Sequence, residues 1–180
     1  MPTITSLQNL HEKFLSTQDG KYEWKFEGFT GYTIHRGGKI IWAEAVGTMN
    51  HYQGLSALLR IASNPQVEME QTEDTDEVPN IREDWSYVSY KLREQIRMTV
   101  RYFSLKPRKE ELWLQKTDVL PVDLEDTQKT ILQELKDPIK HFPDGMGMDA
   151  DLMLWQLVVL EERGAVKIVE PQRVSILKKS

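Results

Sequence analysis

The sequence predicts an α+β protein with a small antiparallel sheet, a long linking helix and a separate C-terminal module. Three observations support this class. Aromatic side chains alternate with charged ones over 22–27, which is the period of a half-buried strand. Gly37-Gly38 lies between two apolar segments, as in a tight hairpin, because glycine accepts the positive φ of the turn. Apolar residues recur at three and four residues from 85 to 103, which is the period of a helix.

Residues 1–80 are predicted to form the first module. Leu7, Leu10 and Phe14 share one face of an opening helix that Ser6 caps. Strand and helix patterns then follow in the order strand 22–26, strand 32–35, strand 39–43, helix 51–62 and strand 67–70. This order predicts an antiparallel sheet with helices packed against it.

Residues 81–120 are predicted to form a long helix, about Glu83 to Ser104, and a connector. The apolar stripe of this helix needs a cover, so a homodimer through the helix is one expectation. The short segment after Pro107 fits neither a strand nor a helix pattern clearly.

Residues 121–180 are predicted to form a winged-helix-like module. A helix over 124–135 precedes a short second helix that ends at Phe142, and a loop covers 143–147. Asp149 is placed to cap a third helix, which Gly164 closes. Strands at 166–169 and 173–177 then flank a turn, and three helices followed by a hairpin is the winged-helix order.

Composition and motifs argue against catalysis. The chain has 180 residues, no cysteine and four histidines, and its net charge is -5. Without cysteine there are no disulfides, thiol nucleophiles or thiolate metal sites, and no two histidines have the i, i+4 spacing of a zinc helix. Gly145-Met146-Gly147 lacks the strand–helix context of a phosphate loop, and the acids from Asp144 to Asp151 lack calcium-loop spacing. We therefore expect no enzyme activity, no cofactor and no metal.

The cellular location is predicted from what the sequence lacks. No run approaches the ~18 apolar residues of a membrane span. The first residues, Met1 to Ser6, lack the basic and apolar regions of a signal peptide. We expect a cytoplasmic protein without membrane insertion.

Charge is concentrated in two places. Six acids fall in the ten residues 68–77, and Arg93, Arg97 and Arg101 recur at intervals of four on the long helix. The arginines are open to three interpretations: they pair with the acidic segment, they bind a protein partner, or they bind nucleic acid.

The composition of the third C-terminal helix argues against nucleic-acid binding by this module. It carries four acids and a single arginine over 149–163, and it is apolar on nearly every side. Such a helix is buried rather than inserted into a groove. Its Trp155 is either a core residue or an interface anchor.

Residues 5–73 resemble the PATAN domain, the N-terminal domain of PatA-type response regulators of cyanobacteria and other bacteria. The resemblance rests on the leading amphipathic helix, the hairpin from Gly31 to Ala45, the Gly54-Leu-Ser-Ala57-Leu-Leu helix and the closing strand at Val67. It implies a non-catalytic signalling adaptor that controls differentiation or pilus-driven motility through protein contacts. The family supplies no catalytic residues.

The predicted function is therefore a signalling or regulatory adaptor that acts by protein–protein interaction. The resemblance suggests a response regulator, a kinase or a pilus-motor component as the partner. The alternative is a nucleic-acid-binding transcriptional regulator that uses the arginines of the long helix, although the sequence disfavours nucleic acid as the partner. The candidate partner-binding residues are Trp42, Trp85, Arg93, Arg97, Arg101, Tyr102 and Trp155.

Overall fold

The structure, a computed structural model, describes residues 18–26, 28–64, 68–135, 139–142 and 148–169. Over these residues it confirms the α+β class, with a five-stranded antiparallel sheet and four helices. The chain divides into two compact units, Met1–Val100 and Arg101–Ser180. The module boundaries at 80 and 120 stay a prediction. The expected helix at 7–15, the loop at 143–147 and the strand at 173–177 lie outside the described residues.

The first unit is built on a meander of three strands. These are β1 (Gly20–Phe26), β2 (Phe29–Arg36) and β3 (Lys39–Gly47), each antiparallel to the next. Gly37 and Gly38 form the turn between β2 and β3 at φ values of 56° and 72°. The predicted hairpin is therefore confirmed, with both glycines in the left-handed region that a two-residue turn requires.

Two more strands complete the sheet, whose order is β4-β3-β2-β1-β5. β4 (His51–Gln53) pairs with β3, and β5 (Glu68–Thr72) pairs with β1. Helix α1 (Gly54–Ala62) thus begins three residues later than predicted, because pairing with β3 takes up 51–53. Gly54 has a φ of 60°, and a Cβ there would lie 2.8 Å from the carbonyl oxygen of Asn80, so this position needs glycine.

Helix α2 (Trp85–Leu105) confirms the long amphipathic helix. Its residues Val88, Leu92 and Ile96 are buried in one core with α1 and with Trp24 of β1. One face of the helix is thereby anchored in the first unit, and its register there is fixed by packing.

The second unit places strands between its helices. A short 3-10 helix (Lys106–Glu111) leads to β6 (Trp113–Lys116), α3 (Asp126–Glu134), β7 (Ile139–His141), α4 (Ala150–Glu162) and β8 (Val166–Val169). The three strands pair antiparallel in the order β7-β6-β8. Asp149 caps α4 by accepting bonds of 2.9 Å from the backbone N–H groups of Asp151 and Leu152. Among the described helices, none is long and apolar enough to cross a membrane.

One predicted element of the winged-helix order is wrong. The segment that ends at Phe142 is predicted to be a short helix, but 139–141 is a strand that pairs with 113–115. The ambiguous segment after Pro107 supplies the central strand β6. Neither segment is long enough for its own sequence pattern to decide its structure, and pairing between segments distant in sequence decides it instead.

Candidate functional site

The outer face of α2 in the first unit is the candidate site. Tyr87, Tyr90, Arg93 and Arg97 define this tyrosine–arginine face. Tyr90, Arg93 and Arg97 follow one another at three and four residues, so they share one side of the helix, opposite the buried stripe, and Tyr87 flanks them. Tyr87 is 48% exposed and Tyr90 is 53% exposed, and both arginines are exposed. Two large aromatic rings and two guanidinium groups therefore face outward on an anchored helix.

Neighbouring side chains hold Tyr90 in place. The ammonium of Lys91 lies 5.6 Å from the centre of the Tyr90 ring. The same ammonium donates to a carboxylate oxygen of Glu94 at 2.6 Å, and the Tyr90 hydroxyl donates to the other oxygen at 3.5 Å. The hydrogen bond to Glu94 raises the pKa of Lys91 above its ordinary value. Lys91 therefore balances the charge of Glu94 beside the Tyr90 ring.

Arg101, which the sequence places in the same row, has a structural role in the second unit. Its Nε donates to one carboxylate oxygen of Glu161 at 2.8 Å, and its Nη2 donates to the other at 3.1 Å. The same Nη2 donates to the backbone carbonyl of Ile168 at 3.3 Å. This bidentate contact ties Arg101 to α4 and β8.

The basic residues after α2 are also matched by an acid. Lys106 and Lys109 each place the ammonium nitrogen 2.7 Å from an oxygen of Asp151. Their hydrogen bonds lower the pKa of Asp151 and raise the pKa of both lysines. The charge that would extend a phosphate-binding row along this segment is therefore partly neutralised.

The acidic segment contacts the sheet. Asp74 forms an ion pair with Arg36, and the Lys21 ammonium donates to the Thr75 hydroxyl at 2.9 Å. The sequence left open a pairing between this segment and the arginines of α2. For Asp74, the structure assigns Arg36 of β2 as the partner instead, since the segment runs from β5 past the ends of β1 and β2.

The aromatic candidates lie in different places. Trp42 is only 8% exposed, with the Lys21 ammonium 5.5 Å from its ring, so its ring is not a surface feature. Trp85 is partly buried against the core of the first unit. In the second unit, Tyr102 and Trp155 meet edge to face with ring centres 5.7 Å apart. Of the seven residues that the sequence singles out, only Arg93 and Arg97 fall within the tyrosine–arginine face.

Sequence reasoning missed the two tyrosines of this face. Tyr87 and Tyr90 are not part of the apolar stripe that predicted the helix. A helical projection would have placed them opposite Val88 and Leu92, and two outward-facing aromatic rings were the available signal.

A buried polar network inside the first unit was also missed. The indole N–H of Trp24 donates to the Thr33 hydroxyl at 2.7 Å, and that hydroxyl lies 3.0 Å from Nε2 of His35. Since Trp24 can only donate, the hydroxyl proton is available for the lone pair of Nε2, which fits a neutral imidazole. Burial lowers the pKa of His35 from its ordinary 6.5 to about 4, opposed by the negative charge of Asp19.

The described part of the chain offers no metal centre, since no group of three or more His, Cys, Asp or Glu side chains there could hold an ion. His51 forms an exposed pair with Glu44 on the edge of the sheet, at 2.6 Å. The comparisons with known proteins found no match for the chain among family models, curated proteins or solved structures.

Proposed function

We propose that the protein is a cytoplasmic, non-catalytic signalling adaptor that recognises a protein partner through the tyrosine–arginine face. The observation that carries the proposal is the pairing of two half-exposed tyrosines, 48% and 53% exposed, with two exposed arginines on one side of an anchored helix. Tyrosine and arginine are the residue types that dominate binding energy at protein interfaces.

The rigidity of the helix supports this role. Val88, Leu92 and Ile96 fix the opposite side of α2 in the core, so the outer side chains start from a fixed backbone. Binding then costs little backbone ordering, and most of the contact energy is left for affinity. Arginine matches carboxylates bidentately and stacks on apolar surfaces, so the expected partner segment carries both acidic and apolar side chains.

The nucleic-acid alternative loses support from the contacts of the basic residues. Arg101 of the arginine row bonds to a carboxylate, and so do Lys106 and Lys109, which follow α2. Phosphate binding gains its strength from several cations that release counterions together, and Arg93 with Arg97 is a small set for that purpose.

The resemblance of residues 5–73 to the PATAN domain supports a signalling context for the adaptor. It makes a response regulator, a kinase or a pilus-motor component the first class of partner to test.

The test is affinity capture with quantitative mass spectrometry, using the wild type, Arg93→Glu/Arg97→Glu and the control Lys39→Glu/Lys167→Glu. The control reverses two exposed charges that do not belong to the face, so the net charge changes equally. We expect a protein that the wild type and the control enrich equally. The face variant should enrich it at least about tenfold less, since both arginines of the face are replaced by acids. Identical sets of captured proteins for all three forms would contradict the proposal.

A duplex titration with the same three forms addresses the alternative. We expect no binding at low salt. Binding that weakens steeply with salt and disappears in the arginine variant would instead favour the nucleic-acid function.

A further inference from the structure

A second exposed surface lies in the loop between β6 and α3. Val119, Leu120 and Val122 of this apolar loop are 51%, 74% and 83% exposed. Single exposed apolar residues are ordinary, but three within four positions of one loop form a local patch that water solvates poorly.

Hydrogen bonds hold the loop at both ends. The Thr117 hydroxyl donates to the Gly164 carbonyl at 2.6 Å, and the Thr117 N–H donates to the Ala165 carbonyl at 3.0 Å. At the other end, Arg163 donates to the backbone carbonyl of Asp123 at 3.4 Å, and Asp123 has a φ of 57°. The apolar side chains are therefore presented on a fixed base at the end of α4.

The charges that flank the apolar loop restrict the kind of surface that can bind it. Asp118 and Asp123 flank the apolar side chains, and both are exposed. Negative side chains disfavour an anionic membrane surface and a nucleic acid. They favour a protein surface that combines apolar area with cations.

The tyrosine–arginine face has that chemistry. It offers two rings for Leu120 and Val122, and the exposed guanidinium of Arg93 for a flanking carboxylate. Since one chain carries both complementary surfaces, every solution of the protein holds the partner at equal concentration.

We propose that the apolar loop of one copy docks on the tyrosine–arginine face of a second copy. This inference rests on the proposed function in one respect, that the face is a recognition surface, and it names a second copy of the chain as an occupant. The contact is heterologous, because different surfaces of the two copies meet. A loop against one helix face is far smaller than a standard interface, so the association is weak, and its charge pairs make it sensitive to salt.

The test is sedimentation velocity of the full chain from about 10 to about 500 µM, the range in which small interfaces associate. We expect the mean mass to rise with concentration and the rise to shrink as salt increases. Leu120→Ser/Val122→Ser and Arg93→Glu/Arg97→Glu should each weaken association at least about tenfold. The control Met49→Ser/Val78→Ser, which changes residues that are 91% and 82% exposed, should associate as the wild type does.

Mixing the two defective variants sharpens the test. The loop variant keeps an intact face and the face variant keeps an intact loop, so an equimolar mixture retains one of the two possible contacts and should associate again. A wild type that stays monomeric throughout the range, a loop variant that associates normally or a mixture that stays monomeric would each overturn the inference. The proposed function would survive those results if affinity capture of another protein still depended on Arg93 and Arg97. Conversely, self-association without capture of any other protein would overturn the proposed adaptor function and leave the present inference standing.

Discussion

The first unit buries a titratable histidine in a chain of neutral hydrogen bonds, whereas the second unit uses partly exposed ion pairs to join α4 to neighbouring segments. In the first, Trp24, Thr33 and His35 form a chain of contacts inside the sheet layer. In the second, Glu161 accepts a hydrogen bond from Arg101, and Asp151 forms ion pairs with two lysines. The difference teaches that acid acts on the first unit through a buried imidazole, and that the loss of a carboxylate acts on the second unit through its ion pairs.

The largest effect is expected from acid on the first unit. The folded state protonates His35 at a pKa of about 4, and the unfolded state does so near 6.5. Above pH 6.5 the His35 imidazole is neutral in both states, and its full contribution to the free energy of unfolding is present. As the pH falls from 6.5 to 4, only the unfolded state gains the proton, so the free energy of unfolding falls by about 3 kcal/mol, and below 4 the contribution levels off.

Urea unfolding of the wild type and His35→Gln at pH 7, 5.5 and 4.5 measures this effect. Glutamine keeps a hydrogen-bonding side chain near Thr33 but does not titrate. In a Trp113→Phe/Trp155→Phe background, tryptophan fluorescence reports the first unit. Parallel pH profiles for the two proteins would show that His35 is not the titrating group.

The sequence predicted the strands around this network but not the network itself. Alternation placed Trp24 on the buried side of β1, and the Gly37-Gly38 turn set the hairpin of β2 and β3. The contact between Trp24 and Thr33 depends on the register of β1 against β2, in which Trp24 lies opposite Gly31. No recognised turn pattern fixed the register of β1 against β2, so the sequence could not show which side chains His35 contacts.

A smaller effect is expected from the ion pair of the second unit. Glu161→Gln removes the charge from a carboxylate that accepts from Arg101 and, at 3.1 Å, from the backbone N–H of Ile168. We expect the free energy of unfolding of the second unit to fall by about 2 kcal/mol, at the lower end of the range for charged hydrogen bonds, because Arg101 is 34% exposed.

Hydrogen exchange checks where that loss occurs. Faster exchange is expected over 161–168, with no change over 31–45 of the first unit. Glu110→Gln is the matched control, because Glu110 is an exposed glutamate of the same unit. Equal effects of the two substitutions would show that the contacts of Glu161 do not specifically stabilise the second unit.

The candidate site was only half predictable. The spacing of Arg93 and Arg97 identified them as neighbours on one helix, and that part needed no tertiary information. Arg101 has the same spacing, but its partner Glu161 is sixty residues away, so no local pattern separates it from the other two. The acidic segment likewise looked like a partner for α2, and only the path of the chain from β5 brings Asp74 to Arg36.

The smallest effect is expected at the edge of β3, where the Asn80 side chain makes the hydrogen bonds that a neighbouring strand would make. The Asn80 amide donates to the Ala43 carbonyl at 2.9 Å and accepts from the Ala43 N–H at 2.9 Å, continuing the β3 edge beyond β4. Asn80→Ala should lower the free energy of unfolding by about 1 kcal/mol, because water replaces part of both bonds at this half-buried position. NMR exchange of the Ala43 amide should accelerate, while Asn50→Ala, an exposed control, should leave it unchanged. Unchanged protection of Ala43 in Asn80→Ala would mean that the backbone bonds from Asn80 and Ile81 to the Ile41 carbonyl, each 3.2 Å long, hold this edge without the side chain.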